Sequence, residues 1–243
     1  AFFTGDDSDW PVYNHRNIGH FRFDPTEGAF NHTDFDHAVG LLRAKRTRIW
    51  GKKNSPFTEM PRTWADDPGT LPALNPRIAF RDVVHSGNPR KVWAALVPAK
   101  TVLTNTAPYL IFPEGGLKAQ AFLLAILNSS ILDWLGHSKI NLHLNYFILN
   151  SLPIPDRPDD ERGQRLCALA AGLALRSDDR DLYGDWPDLA APIPDGDRNV
   201  AVAELDAIAS HLYGVPDHLI DVVWDRPTRP NPSDIRRFRD SWT

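Results

Sequence analysis

Six Lys and Arg residues lie within eleven positions of the chain and could bind phosphate groups. They are Arg43, Lys45, Arg46, Arg48, Lys52 and Lys53, with Trp50 and Gly51 between them. Like charges at this density repel one another, and a polyanion relieves that repulsion by neutralising several of them at once. The pattern therefore predicts phosphate contacts, and the alternative is a plain solvated surface.

The wider region favours the same chemistry, although the chain as a whole is acidic. Residues 40–100 contain 12 Lys and Arg against 4 Asp and Glu, whereas the 243-residue chain has a formal net charge of −4. The acidic excess lies after residue 155, where 18 Asp and Glu accompany 11 Lys and Arg. Because the field near one face governs phosphate binding, we expect a polyanion to contact the first part of the chain.

Further residues are candidates for reading bases. Arginine side chains bind guanine in the major groove, and asparagine side chains bind adenine. The candidates, with one adjacent lysine, are Arg77, Arg81, Arg90, Lys91, Asn105, Asn141 and Asn145. For Arg77 and Arg81 the alternative is an ion pair with Asp82 or with acidic loops. For the asparagines it is a role in turns or helix caps.

The sequence lacks the motifs of several common catalytic sites. It has no phosphate-binding loop ending in Gly-Lys-Ser/Thr, no Gly-x-Gly-x-x-Gly and no Gly-x-Ser-x-Gly. The single cysteine, Cys167, lies in an Ala- and Leu-rich segment typical of a buried, unreactive thiol. The nine histidines lack metal-ligand spacing, and Glu114 with Lys118 matches a metal-dependent nuclease site only weakly. We therefore expect a binding protein with no catalytic residue and no metal site.

The elements that must position these residues are predicted from hydrophobic periodicity. Four runs rich in β-branched and aromatic residues predict strands: RIAFRDVV, KVWAALVP, KTVLTNT and PYLIFP. The segment 118–136 predicts one helix that packs on this sheet and ends at Gly136. Before residue 75 we expect loops and short strands, with one or two helical turns in DHAVGLLRAKR.

The region after residue 155 predicts helices alone. They lie in ERGQRLCALAAGLALR, NVAVAELDAIASHLYG and VPDHLIDVVWD, and a Pro-rich basic tail follows. Their apolar faces are expected to pack on the body or on another domain. The sequence thus predicts an α+β fold with a mixed, mostly antiparallel sheet, divided into a body at 1–155 and a helical C-terminal extension at 156–243.

Composition and length limit where the protein works. The chain is 42% hydrophobic and 24% charged, and no apolar run approaches the ~20 residues of a membrane span. One cysteine suits a reducing cytoplasm. The opening AFFTGDDSDW lacks the pattern of a signal peptide. We expect a cytoplasmic protein without a membrane partner, excised from a longer polypeptide.

Four stretches, taken in order, resemble one family of DNA-modifying proteins. They are VYNHRNIGHF, then NPRIAFRDVVHSGNPRKVWAALVP followed by TNTAPYLIF, then LLAILNSSILDWLGHSKINLHLNYFILNSLPIP, and finally AELDAIASHLYGVPDHLI. Together they are similar to the C-terminal target-recognition region of the large adenine-specific DNA methyltransferases. That family includes type IIG restriction–modification enzymes and the methyltransferases of BREX and DISARM phage-defence systems. The resemblance spans residues 10–222 and departs at His15, where a Gly is expected.

The resemblance implies that catalysis belongs to a different domain. The family's methyltransferase domain carries a Gly-rich S-adenosylmethionine loop and an Asn/Asp-Pro-Pro-Tyr/Phe motif, and the nearest string here, NTAPY at 105–109, does not match. The chain would then clamp double-stranded DNA for a methyltransferase domain of the same parent polypeptide, which holds the cofactor and the flipped base. Two other classes stay open: a protein–protein docking module of a multi-subunit defence complex, and a nuclease domain.

Overall fold

Six strands form two three-stranded sheets in the computed structural model, which describes residues 9–53, 55, 57, 60–85, 87–112 and 116–242. In the first sheet, β1 (Asp9–Tyr13) lies between β3 (Asn31–Asp34), which is antiparallel to it, and β6 (Val102–Leu103), which is parallel. In the second sheet, β5 (Ala94–Val97) lies between β4 (Arg77–Phe80), which is antiparallel, and β2 (Phe21–Arg22), which is parallel.

The predicted sheet of residues 77–112 is divided between these two sheets. β4 and β5 pair with each other, but β6 pairs with β1 because the chain turns away from β5 at Lys100, whose φ of 58° is left-handed. The fourth predicted strand is reduced to a bridge between Tyr109 and Ala79. Each sheet therefore has one antiparallel and one parallel pairing, in place of one mostly antiparallel sheet.

Helices account for most of the remaining structure, and the α+β class is confirmed. In chain order they are α1 (Phe35–Ile49), α2 (Arg62–Asp66), α3 (Leu117–Asn128), α4 (Ser130–Gly136), α5 (Tyr146–Leu149), α6 (Glu161–Ala174), α7 (Arg198–Leu212), α8 (Ile220–Trp224) and α9 (Pro232–Ser241). Several of them differ from expectation, and α2 and α5 were not predicted. α1 runs for 15 residues instead of one or two turns, and the basic tail forms α9.

The single helix predicted at 118–136 is broken at Ser129. This residue has an extended backbone, with φ −66° and ψ 147°, and its Oγ accepts a hydrogen bond from the Leu132 amide. Ser129 is thus the N-cap of α4, and the axes of α3 and α4 differ by 59°. No single helix in the described part of the chain is long and apolar enough to cross a membrane; α3 and α4 meet that length and composition only as a bent pair.

One hydrophobic core joins the second sheet to helices on both sides of residue 155. α3 packs against β5 and α6, and α6 packs against α7. The apolar faces predicted for the C-terminal helices belong to this core: Leu166, Leu169, Leu173, Leu205 and Ile208 are buried in it, and Leu212 packs against it. The division into 1–155 and 156–243 stays a prediction.

A buried ion pair lies at the centre of this core. The Asp133 carboxylate accepts hydrogen bonds from the Arg229 guanidinium at 2.7 Å and from the amides of Lys91 at 2.6 Å and Val92 at 3.1 Å. Both members of the pair have side chains that are 0% exposed. Burial alone would raise the pKa of Asp133, but the charge of Arg90 and the hydrogen bonds from Arg229 and the two amides bring it below its usual value.

A second buried carboxylate, Asp206 on α7, lies close to the first. It accepts hydrogen bonds from the Ser130 amide at 2.8 Å and from the Trp224 indole at 2.9 Å. Burial raises its pKa, and those hydrogen bonds offset part of the effect. Asp206 thereby connects α7 to the start of α4 and to the end of α8.

His20 gives the fold a pH dependence. Its ring lies against Phe21 with Nε2 3.0 Å from the carbonyl oxygen of Asn128, and burial followed by the charge of Arg90 lowers its pKa well below 6.5. The fold therefore favours the neutral ring, so stability is full above pH 6.5 and is lost as the pH falls below that value. We expect His20→Gln to reduce this loss.

The measurement is the free energy of unfolding in urea at about pH 7.5 and pH 5.5, on either side of the unfolded pKa. His218→Gln is the control, because His218 is exposed. Equal pH dependence in the His20 variant and in the unaltered protein would contradict the assignment.

Candidate nucleic-acid interface

Helix α1 places most of the predicted basic segment on the surface. Its first turn is capped by Asp34, whose carboxylate accepts from the His37 amide at 2.9 Å. Ala38 faces inward, whereas Arg43, Lys45 and Arg48 are exposed. The two lysines that follow, Lys52 and Lys53, are also exposed beyond the turn at Gly51, where φ is 75° and glycine is favoured.

Four of these cations have no carboxylate partner among the described residues: Arg43, Lys45, Arg48 and Lys53. The acidic residues of the neighbouring helix α2 are engaged elsewhere. Asp66 pairs with Arg62 at 2.8 Å, and the Asp67 carboxylate accepts from the Gly69 amide. The surface of α1 therefore carries uncompensated positive charge, which we call the α1 basic surface and define by these four residues.

Arg46 is the exception in this segment, since it is buried with 3% exposure. Its guanidinium donates to Thr70 Oγ1 and to the Asp67 carbonyl, each at 2.8 Å, and lies 5.2 Å from the centroid of the Trp64 ring. Burial lowers its pKa. We therefore correct its expected phosphate contact: Arg46 holds α1 against α2 and the loop that follows.

A cleft of about 350 Å³ lies between α1 and the segment 102–109. We call it the α1 cleft. Lys45, Arg46, Arg77 and Asn105 line it together with Tyr109 and Tyr146, and its other lining residues are apolar or carry a hydroxyl. No Asp or Glu of the described residues lines it. The structure thus brings four of the predicted site residues to one acid-free cleft beside the α1 basic surface.

Arg77 is a buried part of this cleft, with 4% exposure. Its guanidinium donates to the carbonyls of Pro72 at 2.8 Å and Thr101 at 2.6 Å, and it lies 5.1 Å from the centroid of the Tyr109 ring. Burial lowers its pKa to about 10. The expected base contact is corrected, because main-chain carbonyls occupy both terminal nitrogens.

The other predicted base readers of the same stretch also serve the fold. Arg90 is 2% exposed and donates to the carbonyl of Asn128 at 2.7 Å, while Lys91 is 5% exposed and donates to the carbonyl of His85 at 2.8 Å. Arg81 is half-buried, donates to the carbonyl of Ile18 at 2.7 Å and stacks on Trp93. These arginines use neutral carbonyls, so the alternative of an ion pair with Asp82 is absent among the described residues, and their proposed base contacts are withdrawn.

The three asparagines remain on the surface. Asn105 is exposed at the α1 cleft, and Asn141 is exposed on the loop before α5. Asn145 is the N-cap of α5, since its Oδ1 accepts from the Ile148 amide at 3.0 Å. The capping role considered for this residue is therefore confirmed.

Helix α5 and the loop before it carry features that the sequence analysis did not predict. Tyr146 reaches the α1 cleft, with its hydroxyl 2.7 Å from the Tyr109 carbonyl and its ring edge-on to Phe80, and burial raises its pKa to about 12. Leu142 and Phe147 are 58% and 83% exposed. Leu142 lies on the loop before α5, and Phe147 lies in α5 itself. No hydrophobic pattern in the sequence predicted that these two side chains would be exposed.

The structure places the residues that the sequence analysis considered for metal binding and catalysis. No group of three or more His, Cys, Asp or Glu side chains there could hold a metal ion. Cys167 is buried, and burial raises the pKa of its thiol, which favours the unreactive protonated form. Glu114, the acidic partner in the nuclease hypothesis, lies outside the described residues.

Comparison with known proteins assigns no family: no family model and no curated protein matches the chain.

Proposed function

We propose that this chain is the DNA-binding target-recognition portion of an adenine-specific DNA methyltransferase of a restriction–modification or phage-defence system. It clamps double-stranded DNA in the bacterial cytoplasm for a methyltransferase domain of the same parent polypeptide, and that domain binds S-adenosylmethionine. The observation that carries the proposal is the α1 basic surface beside the acid-free α1 cleft. Phosphate groups are the natural partner of four exposed cations that have no carboxylate partner within the described ranges.

The contact set is smaller than the sequence suggested. The α1 basic surface and Lys52 supply phosphate contacts, and Asn105 and Asn141 are the remaining exposed candidates for base edges. Arg46, Arg77, Arg81, Arg90 and Lys91 act indirectly, because they fix the elements that carry these side chains.

The proposal predicts a steep dependence of duplex binding on salt. If Lys52 and the four residues of the α1 basic surface each contact a phosphate, the slope of log affinity against log salt is about −4.5. The variant Arg43→Ala/Arg48→Ala/Lys53→Ala removes three contacts and should reduce the slope by about 2.7 for every duplex sequence. The measurement is fluorescence anisotropy of a labelled duplex over a salt series.

The matched control removes three exposed cations at other sites: Lys118→Ala/Arg180→Ala/Arg226→Ala. Both triple variants change the net charge equally, so a loss confined to the first variant locates the contact surface. An unchanged affinity and slope in the first variant would mean that the α1 basic surface is solvated and does not bind DNA.

One observation favours the docking-module alternative. Leu142 on the loop before α5 and Phe147 in α5 expose apolar surface. The loop is held in place, because the Val84 amide donates to the Leu142 carbonyl at 2.9 Å and the Leu144 amide donates to the Asp82 carbonyl at 2.8 Å. Ordered apolar side chains on a surface are typical of protein contacts. Absence of duplex binding at low salt, together with binding of an acidic protein partner lost in Phe147→Ser, would favour this alternative.

A further inference from the structure

The α1 cleft contains two buried cations that no carboxylate neutralises directly. Arg46 and Arg77 are 3% and 4% exposed, and their guanidinium groups donate to a hydroxyl and to main-chain carbonyls. The Nε atoms of both side chains have no hydrogen-bond partner among the described residues. Asp67 and Asp66 partly compensate the charge of Arg46 from outside the lining, whereas no carboxylate of the described residues acts on Arg77 in this way. The cleft therefore keeps a positive potential, and an anion bound there would be favoured.

The remaining lining determines what kind of anion fits. Leu42, Ile49, Phe57, Leu71, Val102 and Leu103 supply apolar surface, and Tyr109 and Tyr146 supply two aromatic rings. Lys45 adds an exposed ammonium group and Asn105 an exposed amide. A volume of about 350 Å³ is that of a small-molecule site. An anion with a flat, largely apolar body matches both the charge and the lining.

We propose that the α1 cleft binds one nucleotide, with its phosphate at Lys45 and its base against the tyrosine side of the cleft. The buried Arg46 and Arg77 add positive potential there without contacting the phosphate. A free nucleotide and a nucleotide displaced from a DNA strand present the same chemistry. The second source rests on the proposed DNA-binding function, whereas the first does not.

The test uses variants that place a carboxylate in the cleft without disturbing the core. Asn105→Asp keeps the side-chain shape of an exposed residue and adds a negative charge, and Lys45→Glu reverses the charge of another exposed residue. Asn199→Asp, at an exposed residue of α7 outside the lining and outside the proposed DNA contacts, is the matched control. The probes are the four deoxynucleoside monophosphates, the parent nucleosides, inorganic phosphate, a short single-stranded oligonucleotide and a duplex, each titrated by calorimetry.

We expect a deoxynucleoside monophosphate or the single strand to bind, and each cleft variant to weaken that binding about tenfold or more while the control leaves it unchanged. Binding of the monophosphate identifies a free nucleotide as sufficient. Binding of the single strand alone, lost in the cleft variants, identifies a displaced nucleotide. Nucleosides should bind more weakly than the monophosphates because they lack the anionic group.

Three outcomes overturn the proposal: no binding of any nucleotide or single strand, binding that the cleft variants leave unchanged, or inorganic phosphate bound as tightly as the monophosphates. Duplex binding with a steep salt slope in any of these cases would leave the proposed DNA-binding function standing. Nucleotide binding without duplex binding would instead support the cleft proposal and contradict the function.

Discussion

Replacing Asp133 by alanine is expected to destabilise the fold by about 3–5 kcal/mol, because removal of one partner leaves a buried charge uncompensated. The variant removes the carboxylate partner of the fully buried Arg229 guanidinium. It also removes the acceptor of the hydrogen bonds from the amides of Lys91 and Val92. The measurement is the free energy of unfolding in urea, followed by circular dichroism.

Two further variants make this expectation specific to the buried charge. Asp159→Ala removes an aspartate whose side chain is 87% exposed in its pair with Arg157, so we expect a loss below about 1 kcal/mol. The double variant Asp133→Leu/Arg229→Met removes both buried charges and should be more stable than Asp133→Ala. A loss in Asp133→Ala as small as that in Asp159→Ala would contradict the ion-pair assignment.

The dependence of stability on acidic pH should also reflect Asp133. Because the pKa of Asp133 in the fold is below its ordinary value of 3.8, the carboxylate is ionised at pH values where the unfolded chain takes up a proton. Its contribution is therefore present above pH 3.8 and is lost as the pH falls below it. Asp206, whose pKa is raised, contributes with the opposite sign. In Asp133→Ala the loss of stability on the acid side should be shallower than in the unaltered protein.

Two glycine-to-alanine substitutions in helices should change stability in opposite directions. A Cβ built at Gly163 in α6 would lie 1.9 Å from the carbonyl oxygen of Pro158, so the backbone must shift. We expect Gly163→Ala to destabilise the protein by about 3 kcal/mol or more, at the upper end of overpacking effects. Gly40 in α1 has nothing within 4 Å of such a Cβ, so Gly40→Ala should stabilise the protein by about 0.5–1 kcal/mol.

The measurement is the melting temperature of each variant, compared with that of the unaltered protein. The pair controls for the chemical change, since each variant adds one methyl group to a helix. A melting temperature for Gly163→Ala equal to that of Gly40→Ala would show that the Pro158 backbone yields without penalty.

Local sequence patterns predicted the helices of the core well. α3, α6 and α7 have apolar residues at helical spacing. The structure buries these same residues in the core, so the pattern identified both the helices and their inward faces. The length of α1 was underestimated because the helix buries only Ala38 and Arg46. The burial of Arg46 depends on hydrogen bonds to Thr70 and to the Asp67 carbonyl, which lie in a loop more than 20 residues away. α9 was passed over although Asn231 and Pro232 have the pattern of a helix start.

Pairings distant in the sequence could not be predicted from these patterns. β6 joins β1 because of a turn at Lys100, a lysine in a left-handed conformation that its residue type does not favour. The burial of Arg77 and Arg90 depends on main-chain carbonyls presented by segments 24 and 38 residues away. The exposed basic residues of α1 lie near one another because they are close in the sequence, and their role in phosphate binding stays a prediction.

The pair of Asp133 and Arg229 also affects the order in which the chain folds. The two residues are 96 positions apart, with α5, α6, α7 and α8 between them, so their contact closes a long loop at an entropic cost that helices α3 and α4 do not bear. During synthesis the carboxylate at the centre of the core stays unpaired until residue 229 has been made. We therefore expect helices and their local packing to form before this contact, with the segment that carries Arg229 completing the core last.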